Sequence, residues 1–270
     1  MKDDHDPVPL LLRGFNLTRM AALYPEACAL AGREGWSPGH LLRHLCEAEA
    51  AHRDQNRQAR LLRESCLPST KTLSSLDLER LPAKPRRQLP QLLEGGFLAR
   101  AENILCFGLP GRGKTHYLAA LGRELILRHQ KRVLFITTHK LVTQLLSAKR
   151  DLKLPGQIAK LLHFDAIVLD DLGYVQQTQE EMEALFTFFS ECYERRSLLI
   201  SSNLVFSQWD QIFKNPMTTL AAIDRLVHHS LILEFDGESR RAPKTAATSA
   251  APPRPGPSGP GRATPVSPNP

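Results

Sequence analysis

The sequence predicts an α/β protein built around a parallel sheet that helices cover on both faces. Apolar segments of strand length alternate with amphipathic helical segments between residues 104 and 235, which is typical of such sheets. A glycine-rich loop follows the first strand, and a later strand ends in Asp170 and Asp171. A helical region precedes this part and a proline-rich tail follows it.

The glycine-rich loop at residues 108–115 matches the phosphate-binding pattern G-x-x-x-x-G-K-[ST]. Its glycines let backbone N–H groups close around phosphates, and the following helix adds partial positive charge. We expect Lys114 to reach the β- and γ-phosphates, and the Thr115 hydroxyl to bind Mg²⁺. His116 ends the block, although we expect no chemical role for its own side chain. The candidate nucleotide-binding residues are Gly108, Leu109, Pro110, Gly111, Arg112, Gly113, Lys114, Thr115 and His116.

The two aspartates end an apolar segment that begins at residue 164. A carboxylate at the end of a buried strand beside a P-loop can bind the water shell of Mg²⁺, and Asp170 fits this role. Asp171 can polarise the attacking water. A turn that simply begins with two aspartates is the alternative. The P-loop upstream favours the functional interpretation.

The remaining elements complete the sheet. Between the two motifs we predict a helix at 117–129, a strand at 133–137 and helices at 140–149 and 157–163. After Asp171 we predict a helix at 179–195, a strand at 198–202, helices at 206–213 and 218–229, and a strand at 231–235. The strand between the motifs is typical of additional-strand ATPases, whose sheet order is 5-1-4-3-2. Asn203, at a strand tip, is a candidate for contact with the γ-phosphate or the attacking water.

Composition excludes several classes of protein. No apolar run approaches the ~20 residues that a membrane helix requires, so we expect no membrane partner and a cytoplasmic location. The five cysteines include no C-x-x-C pair, so neither a disulfide framework nor a zinc site is expected. Cys106 should be a small buried side chain. The net charge of +7 resides mainly in the segments that flank the nucleotide-binding part, which favours an anionic partner such as nucleic acid.

The N-terminal region is predicted to be helical after a loose lead-in at residues 1–16. Helices are expected from residue 17, at 27–33 and from Pro38, with Ser37 as the N-cap of the longest. Its spacing places four arginines on one face. They suit a phosphate backbone, and a solvated charged face is an equal alternative. These candidate nucleic-acid-binding residues are Arg53, Arg57, Arg60 and Arg63.

The predicted domains follow from these segments. Residues 1–70 form a helical DNA- or partner-binding domain, and residues 71–91 form a linker interrupted by prolines. Residues 92–241 form the nucleotide-binding domain. Residues 242–270 contain nine prolines in 29 residues and no Leu, Ile or Phe, so we expect this tail to be disordered.

Several blocks together resemble the IstB-like ATP-binding transposition helpers. This family belongs to the AAA+ ATPases and is related to the bacterial helicase loaders. The helical arm at residues 17–63 is also similar to the N-terminal region of the family. The blocks that carry the resemblance are residues 108–116, 169–174, 193–197, 202–209, 223–229 and 237–239.

The resemblance implies an ATPase with an AAA+ sheet and a defined set of roles. ATP would bind the P-loop, with Mg²⁺ at Thr115 and Asp170, while Asp171 takes the hydrolytic acid position. Asn203 would be the first sensor, and Arg225 the arginine finger that reaches a neighbouring subunit's γ-phosphate. Such a finger implies an ATP-dependent oligomer. The oligomer would assemble on double-stranded DNA, remodel it, recruit the cognate transposase and release it on hydrolysis.

Two departures from the family leave alternatives open. Many relatives carry Glu at the position of Asp171, whose side chain is one methylene shorter, so turnover could be slow. Arg240 and Arg241 follow residues 237–239 where Tyr-Arg is usual, so a second sensor is not assigned. The alternatives are a DnaC-like helicase loader acting with single-stranded DNA, and a nucleotide-gated DNA-binding scaffold with little turnover. A small-molecule P-loop kinase would need an acceptor site and lid arginines, and neither is found.

Overall fold

A computed structural model of the chain describes residues 6–173, 178–204 and 226–236. These residues belong to one unit, Met1–Arg240, and the second unit, Arg241–Pro270, lies outside them. The tail that we predicted to be disordered is therefore not described. Within the described ranges, no helix combines the length and apolar character that a bilayer crossing needs.

The described residues form a five-stranded sheet in which all neighbouring strands run parallel. The strands are β1 (Asn103–Phe107), β2 (Val133–Thr137), β3 (Ala166–Leu172), β4 (Ser197–Ser202) and β5 (Ser230–Glu234). Their order in the sheet is β2-β3-β4-β1-β5. This is the predicted order 5-1-4-3-2 read from the opposite edge, so the prediction is confirmed.

Helices pack on both faces of the sheet because alternate strand residues point to opposite sides. Leu105 and Phe107 of β1 join one core cluster, whereas Ile104 and Cys106 join the other. The first cluster includes residues of α6 (Thr138–Arg150), α7 (Leu154–Leu161) and α8 (Gln179–Cys192). The second includes residues of α5 (Lys114–His129).

All four helices differ from the prediction by up to three residues at one or both ends: α5 begins at Lys114 instead of residue 117, and α6 spans Thr138–Arg150 instead of 140–149. Helix α7 begins at Leu154, three residues earlier than expected, because Pro155 occupies a first-turn position where its missing N–H is not needed. Helix α8 ends at Cys192, three residues earlier than expected, because Tyr193 adopts an extended backbone with ψ of 129°. Helix ends are the least predictable part of an element.

The N-terminal arm consists of α1 (Val8–Gly14), α2 (Thr18–Glu34) and α3 (Pro38–Glu64). The loose lead-in that we expected is therefore wrong in part, since α1 lies within it. The two helices expected between residues 17 and 33 are one helix that continues through Pro25. Met20 before this proline and Ala27 after it are buried in one cluster with Leu45. This burial offsets the loss of the helical hydrogen bond that proline cannot donate.

The turn between α2 and α3 follows the sequence prediction. Gly35 ends α2 with the left-handed backbone that glycine accepts readily. Ser37 is the N-cap of α3, and its hydroxyl accepts a hydrogen bond of 3.2 Å from the His40 N–H. Pro38 occupies the first helical position. The cap prediction is confirmed.

The segment that we predicted as a linker is packed against the part of the chain that forms the sheet and α5. It contains α4 (Ala83–Leu93), and a 3₁₀ helix, Gly96–Arg100, follows. Pro85 lies in the first turn of α4, where a helix leaves its N–H groups unpaired. The buried residues Leu76, Leu81, Leu89, Leu92 and Phe97 join the core cluster that contains α5. The predicted domain limits stay a prediction, since arm, connector and sheet belong to one unit.

Helix α5 contacts the arm near its C-terminal end. Gln58 of α3 donates a hydrogen bond of 3.0 Å to the Leu127 carbonyl. Gln130, directly after α5, donates a hydrogen bond of 3.0 Å to the Asp54 carboxylate. One helix therefore starts at the predicted phosphate site and ends against the arginine-bearing helix.

Candidate nucleotide-binding site

The loop at residues 108–115 has a backbone that requires glycine at several positions. Gly108, Gly111 and Gly113 have φ values of +143°, +80° and +93°. A Cβ atom at Gly108 would also lie 2.4 Å from the backbone oxygen of Phe235. The loop thus runs closely past the end of β5 and turns into α5, whose free N–H groups face an anion-binding position.

Lys114 is held at the centre of the site. It is only 5% exposed. Its ammonium group donates to the carbonyl of Gly108, to that of Leu109 at 3.0 Å, and to Asn203 Oδ1 at 2.8 Å. The predicted phosphate-binding lysine and the predicted sensor therefore lie in direct contact.

Thr115 and Asp170, the predicted metal ligands, also meet. The Thr115 hydroxyl donates a hydrogen bond of 2.8 Å to Asp170 Oδ1, and Asp170 is 6% exposed. The Asp170 backbone oxygen accepts a bond of 3.0 Å from the Thr138 hydroxyl at the start of α6. Carboxylate and hydroxyl oxygens are ligands that Mg²⁺ prefers. The donor set of this pair therefore fits the predicted ion.

Asp171 differs from Asp170 in backbone and exposure. Its φ of +59° lies in the left-handed region, and its side chain is exposed. Its backbone N–H donates a hydrogen bond of 3.0 Å to Ser201 Oγ. Asp171 lies at the same edge of the sheet as Lys114 and Asn203, because all three follow or end parallel strands.

Ser201 is a site residue that sequence reasoning missed. It is 1% exposed on β4, and its hydroxyl donates a hydrogen bond of 2.5 Å to Asp170 Oδ1. The same Asp170 oxygen accepts from Thr115. The available signal was two consecutive serines at the end of a fully buried strand, Ser197–Ser202, since buried hydroxyls need partners.

His116 and Arg112 have surroundings that the motif does not specify. The His116 Nε2 atom lies 3.1 Å from the Thr72 carbonyl oxygen and 3.1 Å from Ser75 Oγ. His116, in the first turn of α5, therefore connects this helix to the loop that follows the arm. Among the described residues, the buried Nη1 atom of Arg112 has no hydrogen-bond partner.

Cys106, on the strand that leads into the loop, is fully buried. Burial raises the pKa of its thiol, and the nearby charge of Lys114 lowers that pKa by a smaller amount. The thiol therefore stays protonated at neutral pH and packs as a small apolar side chain, as the sequence predicted.

The four predicted DNA-contacting arginines are all exposed along α3. Arg53 is engaged within the arm: it donates to Glu49 at 2.9 Å and to the Asn16 carbonyl at 3.0 Å. Arg60 lies 3.9 Å from Glu64. Within the described residues, Arg57 and Arg63 form no hydrogen bond or ion pair.

Glu49, which sequence reasoning overlooked, is the buried centre of the arm. It is 5% exposed and accepts hydrogen bonds from the backbone N–H groups of Arg19 at 2.8 Å and Met20 at 3.1 Å. Burial raises the pKa of Glu49, but the hydrogen bond from Arg53 and the two backbone N–H groups together outweigh it. The net pKa is therefore below the ordinary glutamate value.

Four sequence blocks fall outside the described residues in whole or in part: 169–174, 202–209, 223–229 and 237–239. Arg225, the predicted arginine finger, lies outside them, as do Tyr174 and Trp209. The predicted short helix at 206–213 and most of the helix at 218–229 lie outside them as well.

Comparison with known proteins assigns the chain to a family. Residues 11–248 match the family described as IstB-like ATP binding protein. An insertion sequence ATP-binding protein of Sinorhizobium fredii is 41% identical over 247 residues, covering 89% of this chain and 83% of that protein. The IS5376 ATP-binding protein of Geobacillus stearothermophilus is 33% identical over 226 residues, covering 84% and 90% of the two chains.

Solved structures support the fold independently. The replication initiator DnaA, bound to AMPPCP and single-stranded DNA, superposes with a TM-score of 0.53 at 17% identity. The match covers 64% of this chain and 52% of that one. At this identity the likeness concerns the AAA+ fold alone. With the family match across residues 11–248, the conclusion is direct: this chain is a member of the IstB-like ATP-binding protein family.

Proposed function

We propose that this protein is an ATP-dependent DNA-binding helper of insertion-sequence transposition that assembles on target DNA, recruits its transposase and hydrolyses ATP. The observation that carries the proposal is the meeting of Lys114, Thr115, Asp170 and Asn203 at one edge of the sheet. The relatives' names, which refer to insertion sequences and ATP binding, support this choice among AAA+ functions.

ATP binding would use the loop backbone and Lys114. The ammonium group would leave the loop carbonyls and Asn203 and bind phosphate oxygens, which are stronger acceptors because they are charged. Thr115 and Asp170 would hold Mg²⁺, which when bound neutralises part of the phosphate charge. The rest of the phosphate contacts would come from backbone N–H groups at the start of α5.

Hydrolysis would require a water molecule that Asp171 polarises and Asn203 orients. The release of Asn203 from Lys114 would make its side chain available for this role. Arg225 would come from a neighbouring subunit and bind the charge that develops on the γ-phosphate. A complete site therefore needs an oligomer.

DNA binding would use the exposed arginines of α3, chiefly Arg57, Arg60 and Arg63, because Arg53 is engaged with Glu49. Guanidinium groups on one helix face suit phosphates, and contacts with phosphates do not discriminate between bases. DNA binding should therefore be tolerant of sequence and sensitive to salt concentration. Helix α5, which begins at Lys114 and contacts α3 through Leu127, offers a direct connection from nucleotide to arm.

Duplex DNA binding tests this function when it is measured with ATP, with ADP and without nucleotide. Analytical ultracentrifugation with a labelled duplex should detect large complexes only with ATP, and added transposase should then increase turnover. Duplex binding that is absent or independent of nucleotide would contradict the proposal, and ATP-dependent binding of single-stranded DNA alone would favour a helicase loader. ATP-gated assembly without multiple turnover would favour the scaffold with little hydrolysis.

A further inference from the structure

Strand β3 is irregular at the acidic pair. Leu169 pairs with Ile200 and Leu172 pairs with Ser202, with a register shift between them. Two residues of β3, Asp170 and Asp171, therefore lie opposite the single residue Ser201 of β4. This two-against-one count is that of a β-bulge, a feature that re-aims side chains and is common beside functional sites.

The two neighbouring acids of the bulge lie in different environments. Asp170 is 6% exposed and contacts Thr115, whereas Asp171 is exposed and has a φ of +59°. A left-handed backbone is unfavourable for a residue with a Cβ atom, so the surroundings must stabilise it.

One buried hydroxyl bonds to both residues of the bulge. Ser201 Oγ donates to Asp170 Oδ1 at 2.5 Å and accepts from the Asp171 N–H at 3.0 Å. Ser201 thus accepts a hydrogen bond from the Asp171 N–H at the irregular position of the strand pairing. It also orients the Asp170 carboxylate beside Thr115. Ser201 is 1% exposed, so water cannot replace this hydroxyl easily.

We propose that Ser201 is a positioning residue of the nucleotide site, which holds the Asp170–Asp171 bulge and orients the Asp170 carboxylate for the Mg²⁺ of the bound nucleotide. The Mg²⁺ part of this inference rests on the proposed function, whereas the bridging of the bulge does not. Groups that orient a metal-binding side chain typically change metal affinity by about 10–100-fold when they are removed.

The test compares Ser201→Ala with Ser202→Ala. Ser202 is the matched control, because it is also 1% exposed on β4 and its hydroxyl donates to the Leu172 carbonyl at 2.8 Å and not to an acid. Ser201→Ala should raise the Mg²⁺ concentration for half-maximal ATP binding by about 10–100-fold. Nucleotide affinity without Mg²⁺ should stay unchanged, and Ser202→Ala should titrate like the wild type. An unchanged Mg²⁺ response in Ser201→Ala would overturn the inference.

A second measurement needs neither metal nor nucleotide. Amide hydrogen exchange in the wild type should show protection at Asp171, and Ser201→Ala should lose that protection while Ser202→Ala keeps it. An unprotected Asp171 amide in the wild type would overturn the bridging role even if Ser201→Ala folds poorly. Ser201→Thr retains the hydroxyl on a strand-forming side chain, so it should behave like the wild type. A folded Ser201→Thr protein that behaves like Ser201→Ala would also overturn it.

The two measurements separate this inference from the proposed function. A wild-type protein that binds no ATP would contradict the proposed function, while hydrogen exchange would still decide whether Ser201 holds the bulge. Normal ATP and Mg²⁺ binding in the wild type, with no effect of Ser201→Ala on either readout, would contradict the inference alone.

Discussion

Lys114 and Asn203 are joined by a hydrogen bond of 2.8 Å although 89 positions separate them in the sequence. Lys114 begins the helix after β1, and Asn203 follows β4, the parallel neighbour of β1. Carboxyl ends of parallel strands meet at one edge of the sheet, which is where ligands bind in open α/β sheets. The contact therefore joins the predicted phosphate-binding and sensing residues of the proposed ATP site.

Replacement of Lys114 by alanine should abolish ATP binding. The variant loses the only buried lysine among the described residues and with it charge-assisted hydrogen bonds to phosphate, so affinity should fall at least ~100-fold. Isothermal titration calorimetry with ATP and Mg²⁺ measures this. Lys160→Ala, at an exposed position of α7, is the control and should bind like the wild type. Normal binding by Lys114→Ala would exclude the loop as the phosphate site.

Replacement of Asn203 by alanine should separate binding from turnover. Lys114 keeps its own phosphate contacts, so ATP affinity should change little. The loss of one polar group that acts on the attacking water should reduce kcat by about 100-fold. Steady-state hydrolysis beside equilibrium binding measures both quantities. A variant that loses affinity and keeps kcat would show that Asn203 serves binding instead.

The Arg225→Ala variant should bind ATP but lose turnover and ATP-dependent assembly. Loss of an arginine finger typically reduces kcat by about 10³–10⁵-fold. A mixture of the Arg225→Ala and Lys114→Ala proteins provides the sharpest control. The Lys114→Ala subunits retain Arg225, so they should restore hydrolysis at the sites of neighbouring Arg225→Ala subunits, which retain Lys114. Full activity of Arg225→Ala alone would remove the finger assignment, and a failure of mixing to restore activity would argue against a site shared between subunits.

The arginines of α3 should differ in what their removal changes. The combined variant Arg57→Ala, Arg60→Ala and Arg63→Ala should weaken duplex binding and lower the slope of log K against log salt by about 0.9 per lost phosphate contact. Its melting temperature should stay near that of the wild type because these side chains are exposed. A salt series of binding isotherms measures the slope. An unchanged slope would contradict the proposed DNA-contacting face.

Arg53→Ala is the comparison for that triple variant. Arg53 bonds to Glu49 and to the Asn16 carbonyl, so its removal should destabilise the arm by about 1–3 kcal/mol. Thermal unfolding should therefore distinguish it from the other three arginines. A stable Arg53→Ala protein with a reduced salt slope would assign Arg53 to DNA contact as well.

Glu49 should make the arm sensitive to acid. Its pKa is lowered in the folded protein, so its stabilising contribution is present above the unfolded glutamate pKa of about 4.3 and is lost as the pH falls through the folded value. Circular dichroism during acid titration should show the arm unfolding over that window. Glu49→Gln should cost about 1–3 kcal/mol at neutral pH and remove this part of the pH dependence. An identical acid profile in both proteins would contradict the role of Glu49.

Much of the fold could be predicted because its signals are local or depend on simple topology. The P-loop pattern predicts a strand, a glycine turn and a helix within 13 residues, 103–115, and the structure has all three. The extra strand between the P-loop and the acidic strand led to the correct order of the sheet. The Ser37 cap was equally readable, because capping depends on neighbours only a few residues away.

The differences between expectation and structure arose where packing outweighs local preference. The sequence predicted two helices between residues 17 and 33, yet α2 continues through Pro25 because residues on both sides of the proline are buried in one cluster. The prolines between residues 66 and 100 suggested a connector, yet Leu89 and Leu92 of α4 are buried in the core cluster that contains α5. Neither burial can be read from a single segment, because the partner surface belongs to another part of the chain.

By itself the sequence determined the phosphate-binding loop, the order of the sheet and the edge at which the candidate residues would gather. Only the tertiary structure decided which hydrogen bonds hold the side chains in place. Ser201 bonds to both aspartates and His116 contacts the Thr72–Ser75 loop, while in the arm Glu49 bonds to α2 and to Arg53. The physical reason is that a backbone pattern depends on neighbouring residues. A buried hydrogen bond instead depends on strand register and helix packing, which bring together residues that lie far apart in the chain.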